Sequence, residues 1–177
     1  MSEMKPWKEI TREERYFCSF LFHDIRANPA PFMALLTKSG LEVPQGTTIN
    51  DVGYEVCFFR DAAKIDVDLI ESHSNLEKQT FDFVLWLSDE SMVIIEAKAQ
   101  QGFGMKQLKK LSDSKSLIVN SKYPISRINL IGLASSNYSP QDGVNNILAP
   151  ILTWKEVMNI YPSNARIYER ANGVYGK

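Results

Sequence analysis

Apolar positions recur at helical spacing near the start of the chain. Those that predict the first helix are Tyr16, Phe17, Phe20, Leu21 and Ile25. Thr11 and Glu14 precede all of them at the spacing of a capping box, which marks the beginning of a helix. The segment ANPAP (27–31) interrupts the pattern, and FMALLTKSG then predicts a short second helix that ends at Gly40. The first forty residues are therefore expected to be mainly helical.

The segment INDVGYEVCFFRDAAK (49–64) fits two assignments. Its apolar positions Val52, Val56, Phe59 and Ala63 follow helical spacing, with Asn50 as a suitable N-cap. The part YEVCFF is also typical of a β-strand. We favour the helix.

Three apolar segments then predict an antiparallel meander. They are IDVDLIES, TFDFVLWL and MVIIEAKA, with the turn segments HSNLEKQ and SDES between them. In the second and third segments both alternating sets of positions are apolar, which is typical of strands covered on two faces.

The remaining pattern predicts a helix in GMKQLKKLSDSK, a fourth strand in RINLIGLAS and a polar loop in SNYSPQDGVNN. A last helix follows in TWKEVMNIYP, where Thr153 and Glu156 form a second capping box and Pro162 ends the helix. This order predicts an α/β fold in one domain over residues 1–177: a mixed sheet of four to five strands between helices.

Composition limits the class of protein. The chain has 177 residues, of which 44% are hydrophobic and 23% charged, as in ordinary globular proteins. The segment MSEMKPWKEITREER is polar, so we expect no secretory leader, and no stretch approaches the roughly 18 consecutive apolar residues that a membrane span needs. Cys18 and Cys57 lie in apolar segments and are expected to be buried free thiols. We therefore expect a cytoplasmic protein without membrane contact.

Charge is unevenly distributed although the formal net charge is only −1. Acidic residues dominate from Asp51 to Glu96, and basic residues dominate from Lys98 to Arg127. A local basic face can bind phosphate groups even on a nearly neutral protein. A solvated, lysine-rich helix would produce the same charge pattern, so charge alone leaves both interpretations open.

The third predicted strand carries charge where an apolar strand is expected. Side chains alternate along a strand, so Glu96 and Lys98 share a face with Met92 and Ile94. Burying such charges without partners costs several kcal/mol. The pair must therefore neutralise itself, lie at an exposed strand end or be completed by a metal ion.

Asp82 on the preceding strand is a second carboxylate near this strand end. A symmetric SDES turn would pair Asp82 with Ala97 and direct it to the wrong face. A three-residue loop or one β-bulge would instead pair it with Glu96 or Lys98. Two carboxylates and a lysine would then meet, and oxygen ligands of this kind suit Mg²⁺.

The segment FDFVLWLSDESMVIIEAK resembles the core of the PD-(D/E)XK nuclease superfamily, in which an aspartate on one strand precedes Glu-x-Lys on the next. The element order over residues 11–134 is similar as well. Phe81 stands where the family has proline. The resemblance implies a restriction-endonuclease-like fold and hydrolysis of phosphodiesters that depends on Mg²⁺, with Mn²⁺ as a substitute. The expected substrate is nucleic acid, DNA rather than RNA.

The resemblance also implies roles for particular residues. Asp82 and Glu96 become the metal ligands, and Lys98 becomes the catalytic lysine. Family members often add a glutamate from the first helix, for which Glu14 is the best match. Two competing candidates for that position are Glu13 and Glu55.

Substrate contacts are expected from the helix after the third strand. The resemblance implies a glutamine near the site, either Gln107 or Gln101, and Lys106 and Lys110 would contact the phosphate backbone. Because no separate DNA-reading module is visible, specificity would come from a partner, from a homodimer or from loops such as 135–146. The alternative function is a catalytically inactive scaffold in which Glu96 and Lys98 form a structural ion pair.

Overall fold

The structure is a computed structural model that describes residues 13–63, 79–121 and 123–177. The helices are α1 (Glu14–Ala27), α2 (Ala30–Lys38), α3 (Phe58–Ala63), α4 (Met105–Val119), α5 (Trp154–Ile160) and α6 (Ala165–Gly173). The strands are β1 (Ile49–Val56), β2 (Phe81–Leu87), β3 (Ser91–Ala97), β4 (Arg127–Ala134) and β5 (Ile151–Thr153). Two 3-10 turns, Val144–Asn146 and Pro162–Asn164, flank β5 and α5.

The described strands form one mixed sheet in the order β1-β2-β3-β4-β5. The pairs β1–β2 and β2–β3 are antiparallel, whereas β3–β4 and β4–β5 are parallel. Parallel neighbours need a long crossover, which α4 provides between β3 and β4. The predicted α/β class and mixed sheet are therefore confirmed.

Apolar side chains fill a core on each face of the sheet. On one face α1, α2, α5 and α6 pack against alternate residues of β2 and β3, among them Phe83, Leu85, Val93 and Ile95. On the other face α3 and α4 cover the intervening positions, such as Val84, Met92 and Ile94. This double coverage explains why β2 and β3 are apolar on both sets of positions.

The helix predicted over residues 49–64 is wrong for most of its length. Residues Ile49–Val56 form the edge strand β1, and only Phe58–Ala63 are helical. The strand alternation is obscured by a register shift between Ile49 and Asp51 and by the positive φ of 50° at Glu55. Because these irregularities break the two-residue period, the apolar positions fall by chance at helical spacing.

The β2–β3 hairpin decides which way Asp82 faces. Phe83 pairs with Ile95, and Trp86 pairs with Met92. The same register leaves residues 88–90 as a three-residue loop, with Glu90 at a φ of 61°. Continuing one step from Phe83, it brings Asp82 opposite Glu96, so the two carboxylates lie on one face of the sheet. The three-residue loop, one of the two arrangements that the predicted site requires, is present.

The predicted helix boundaries agree with the structure at several points and differ at one. Gly40 follows α2 with a φ of 104°, and the capping box of Thr153 and Glu156 begins α5. The capping box at the first helix is not formed as predicted, because Glu13 is the N-cap and makes no side-chain capping bond. Thr11 lies outside the described residues.

One predicted strand and most of one predicted turn lie outside the described residues, and two observed elements were not predicted. The strand predicted in IDVDLIES lies outside them, and so does the HSNLEKQ turn apart from Gln79. The short strand β5 and the helix α6 were not predicted from the sequence. Both cysteines are buried free thiols, as predicted. None of the described helices is long and apolar enough to cross a membrane.

Candidate functional site

The end of β3 is fixed from both sides by main-chain and side-chain hydrogen bonds. The Lys98 N–H donates to the Leu133 carbonyl of β4 at 2.7 Å. The Lys98 carbonyl accepts from Trp154 Nε1 at 2.9 Å. Trp154 is fully buried and stacks on Tyr168, so α5 and α6 hold the residue that carries the predicted catalytic amine.

The Lys98 ammonium lies between two carboxylates. Its Nζ atom is 2.7 Å from Glu96 Oε1 and 3.3 Å from Glu14 Oε1. Glu14 Oε2 accepts a further hydrogen bond from the Ala99 N–H at 3.0 Å. The first residue of α1 is thereby joined to the end of β3, and Lys98 is held by charges from two separate elements.

Asp82 lies on β2 at the position opposite Glu96 of β3. Its Oδ2 atom accepts a hydrogen bond from the Ala97 N–H at 2.8 Å, and its carboxylate therefore bonds to the main chain of β3. The hairpin register places the same side chain across from Glu96. The predicted association of Asp82, Glu96 and Lys98 is present in the structure.

Gln107 completes the polar contacts of Glu96. It lies in the first turn of α4, and its Nε2 donates to Glu96 Oε1, the oxygen that also accepts from Lys98. The Glu96 carboxylate is thus oriented from its own strand and from the following helix. Of the two candidate glutamines, Gln107 contacts a predicted metal ligand, while Gln101 lines the adjacent cleft.

The carboxylates are held at raised pKa values. Burial, together with the neighbouring charge of Asp82, raises the pKa of Glu96 to about 7, although Lys98 opposes the shift. Burial is also the main cause that raises the pKa values of Glu14 and Asp82. Three acids therefore share one lysine in a poorly hydrated site, and a further cation would relieve their mutual repulsion.

The pKa of Lys98 is also raised, but by neighbouring charges rather than by burial. Burial acts to lower the pKa of its ammonium, but the charges of Glu96 and Glu14 outweigh it and raise the pKa above the usual value for lysine. The ammonium consequently keeps its proton at neutral pH. A role as a fixed positive charge fits this environment, whereas removal of a proton by Lys98 does not.

The carboxylate chemistry of the site fits a hard divalent cation. Among the residues that the structure describes, no three or more acidic, cysteine or histidine side chains are grouped to hold a metal ion. The candidate ligands are therefore the facing pair Asp82 and Glu96. A pair suffices for Mg²⁺, which typically takes one or two protein carboxylates and keeps several waters.

A cleft of about 420 Å³ opens beside these residues. Its walls are contributed by the start of α1, the end of β3 and the loop before α4: Glu13, Glu14, Lys98, Gln100, Gln101, Gly102, Gly104 and Gln107. Gln100 and Trp154 were not among the predicted site residues. The polar run QQGF was the available signal for Gln100, whereas the sequence carries no signal for a contact between Trp154 and Lys98.

The contacts of the remaining candidate site residues distinguish them from one another. Glu55 forms an ion pair with Arg15 at 2.7 Å, and Glu13 lines the cleft, whereas Glu14 contacts Lys98. Lys106 and Lys110 are exposed on α4, one on each side of Gln107 in the chain. They lie on the helix that borders the cleft rather than among the residues that line it.

The fold and site together define an α/β protein with a carboxylate–lysine cleft at one end of a mixed sheet. Comparison with known proteins adds no relative: no protein-family model, curated protein or solved structure matches the chain. The chemistry of the site is therefore argued from its own residues.

Proposed function

We propose that this chain is a metal-dependent nuclease with a restriction-endonuclease-like fold that hydrolyses phosphodiester bonds, in DNA rather than RNA. The observation that supports it best is the position of Lys98, whose half-buried ammonium is held between Glu96 and Glu14 at the wall of an open cleft. Asp82 faces Glu96 at the same strand end. A purely structural ion pair needs neither the third carboxylate nor the cleft.

In this proposal Asp82 and Glu96 would hold Mg²⁺, or Mn²⁺ in its place. The bound ion would supply Lewis-acid polarisation of the phosphodiester and a lowered pKa of bound water. Lys98 keeps its proton at Nζ, orients the attacking water and stabilises negative charge that develops on the phosphate. Gln107 orients Glu96, and Glu14 orients Lys98.

The cleft would receive the scissile phosphate, with Gln101 and Gln107 as polar contacts. Lys106 and Lys110 project from the same helix as Gln107 and are exposed to solvent, where they would contact the flanking phosphates. Binding through phosphates makes affinity sensitive to salt. A homodimer would double this contact surface. A cytoplasmic location agrees with the two free thiols.

One observation favours the second candidate, a catalytically inactive scaffold with a nuclease fold. Glu96 is only 4% exposed, and its Oε1 atom already accepts hydrogen bonds from Lys98 and Gln107. A carboxylate with one oxygen engaged in this way can serve as a structural ion-pair partner. Metal-dependent turnover separates the two functions.

The deciding experiment is cleavage of a panel of duplex, single-stranded and branched DNA and of RNA, with Mg²⁺, Mn²⁺ or EDTA. We expect cleavage that requires the metal and falls at least about 100-fold in Lys98→Ala. Lys155→Ala, at an exposed position of α5, is the matched control and should retain activity. Absence of cleavage on every substrate would favour the scaffold. Equal cleavage by wild type and Lys98→Ala would overturn the proposed mechanism.

A further inference from the structure

A second cavity lies on the sheet face that α3 and α4 cover. It has a volume of about 210 Å³ and lies between β1, β2 and the chain around Tyr123. Trp86 and Met92 line it near the hairpin loop, whereas Asp82 and Glu96 lie at the opposite end of the hairpin. Trp86 is four residues from Asp82, which corresponds to roughly 13 Å along a strand. The proposed nuclease chemistry therefore makes no use of this cavity.

The strand register explains how the cavity forms. Asp51 pairs with Trp86, and Trp86 pairs with Met92, so these three side chains form one row across a single face of the sheet. Gly53 contributes no side chain to the neighbouring row. A Cβ atom at Gly53 would lie 2.5 Å from Val56 Cγ2, so any larger residue would have to displace Val56.

Three aromatic rings form adjoining walls. The Tyr123 ring is 5.2 Å from the Phe58 ring at an angle of 76°, and 5.6 Å from the Trp86 ring at an angle of 82°. At these distances the rings are in edge-to-face contact with one another, and all three residues also line the cavity. Such walls attract cations, because the face of an aromatic ring is electron-rich.

Two carboxylates among the lining residues set the charge of the cavity. Asp51 is exposed, and its Oδ1 accepts a hydrogen bond from the Val52 N–H at 2.8 Å. Asp61 is bonded to Arg60 at 2.8 Å, which balances part of its charge. The described lining residues therefore combine aromatic side chains with net negative charge. This combination favours a cation and disfavours the phosphates of a nucleic acid.

We propose that this aromatic cavity binds a compact alkylated ammonium group, such as the quaternary ammonium of a choline-like molecule. Trp86 and Tyr123 supply cation–π contacts, Phe58 supplies apolar contact with the alkyl groups, and Asp51 supplies the opposing charge. The volume of the cavity suits a head group of this size rather than a nucleobase with its sugar and phosphate. The same chemistry could be presented by a free metabolite or by a methylated lysine of a protein.

Isothermal titration calorimetry on the full chain tests the site with choline and with 3,3-dimethyl-1-butanol, a neutral molecule of nearly the same shape. We expect choline to bind at least about 10-fold more tightly, because only choline carries the charge. A trimethyllysine peptide is titrated as well, with the same unmethylated peptide as its control. Tighter binding of the methylated peptide than of choline indicates a protein ligand, and tighter binding of choline indicates a free metabolite. Equal binding of choline and its neutral analogue, or no binding of choline and the methylated peptide, would overturn the proposal.

Variants locate the binding on the chain. Tyr123→Leu keeps an apolar side chain without the ring, and Asp51→Asn removes the charge at an exposed position. Each is expected to weaken choline binding at least about fivefold, measured at a temperature where the variant is fully folded. Glu42→Gln, another exposed carboxylate, is the control and should bind as wild type does. If both site variants bind choline as tightly as the control, the binding lies elsewhere and the assignment is wrong.

Discussion

Glu14 and Lys98 are separated by 84 positions in the chain, yet the Lys98 ammonium donates to Glu14 Oε1 at 3.3 Å. The other Glu14 oxygen accepts from the Ala99 N–H at 3.0 Å. One carboxylate thus fixes both the side chain of Lys98 and the main chain that follows it. Glu14 is therefore the first-helix acid whose replacement should affect the site most directly.

Glu14→Gln should reduce the rate of the proposed cleavage by about 10- to 100-fold. The glutamine oxygen can still accept a hydrogen bond from the Ala99 N–H, but the side chain no longer carries the negative charge that holds the Lys98 ammonium in place. The free energy of unfolding should change by no more than about 1 kcal/mol, because the buried charge of Glu14 is itself unfavourable. Glu55→Gln, at the competing position that pairs with Arg15, is the comparison. A larger loss of activity in Glu55→Gln would exclude the assignment of Glu14.

The stability of the metal-free protein should fall as the pH rises from about 5 to 8. Glu96 has a pKa of about 7 in the folded protein against its ordinary value of 4.5, so the folded state binds its proton more tightly. This contribution is fully present below pH 4.5 and is lost as the pH rises through 7. It amounts to at most about 3 kcal/mol. Urea unfolding in EDTA at several pH values measures it.

Glu96→Gln should flatten that pH dependence, because the amide does not titrate. Asp89→Asn offers a comparison at a carboxylate in the hairpin loop, where Asp89 pairs with Arg127. Mg²⁺ should also flatten the wild-type profile, because a bound cation favours the ionised carboxylate. Profiles that are equally steep in wild type and Glu96→Gln would show that another group causes the dependence.

Lys106 and Lys110 should contribute to DNA affinity without contributing to chemistry. Their exposed positions on α4 lie beside the cleft rather than in it. Replacing either with Gln should weaken binding similarly for all sequences and reduce the slope of log affinity against log salt by about 1. Fluorescence anisotropy with Ca²⁺ in place of Mg²⁺ measures the slope, and Lys155→Gln is the control. An unchanged slope in both α4 variants would remove this helix from the DNA contact.

The local sequence pattern was sufficient to predict the neighbouring strands β2 and β3 and the charged residues at the end of β3. The continuous apolar runs bounded by turn residues predicted β2 and β3 correctly, and the Glu-x-Lys spacing directed attention to Glu96 and Lys98. The direction of Asp82 could not be read in this way, because it depends on a loop in which Glu90 adopts a positive φ. A one-residue change in that loop would reverse the face of Asp82.

The features that the sequence did not predict depend on irregular backbone or on long-range packing. β1 was predicted as a helix because its register shift and the positive φ at Glu55 remove the two-residue period. The contact between Trp154 and Lys98 joins residues 56 positions apart. Such a contact follows from how α5 packs on the sheet, and no local pattern of residues specifies it.

Trp154→Phe tests whether that packing positions Lys98. The change keeps an aromatic ring but removes the hydrogen bond from Nε1 to the Lys98 carbonyl, and it should lower the free energy of unfolding by about 1 to 3 kcal/mol. Thr153→Ala is a matched control, because it removes the capping box of the same helix at a cost of about 1 kcal/mol and leaves the Lys98 contact in place. We expect the proposed cleavage rate, measured where both variants are fully folded, to fall about 10-fold in Trp154→Phe and to stay near wild type in Thr153→Ala. Equal rates in the two variants would mean that Trp154 stabilises the fold without positioning Lys98.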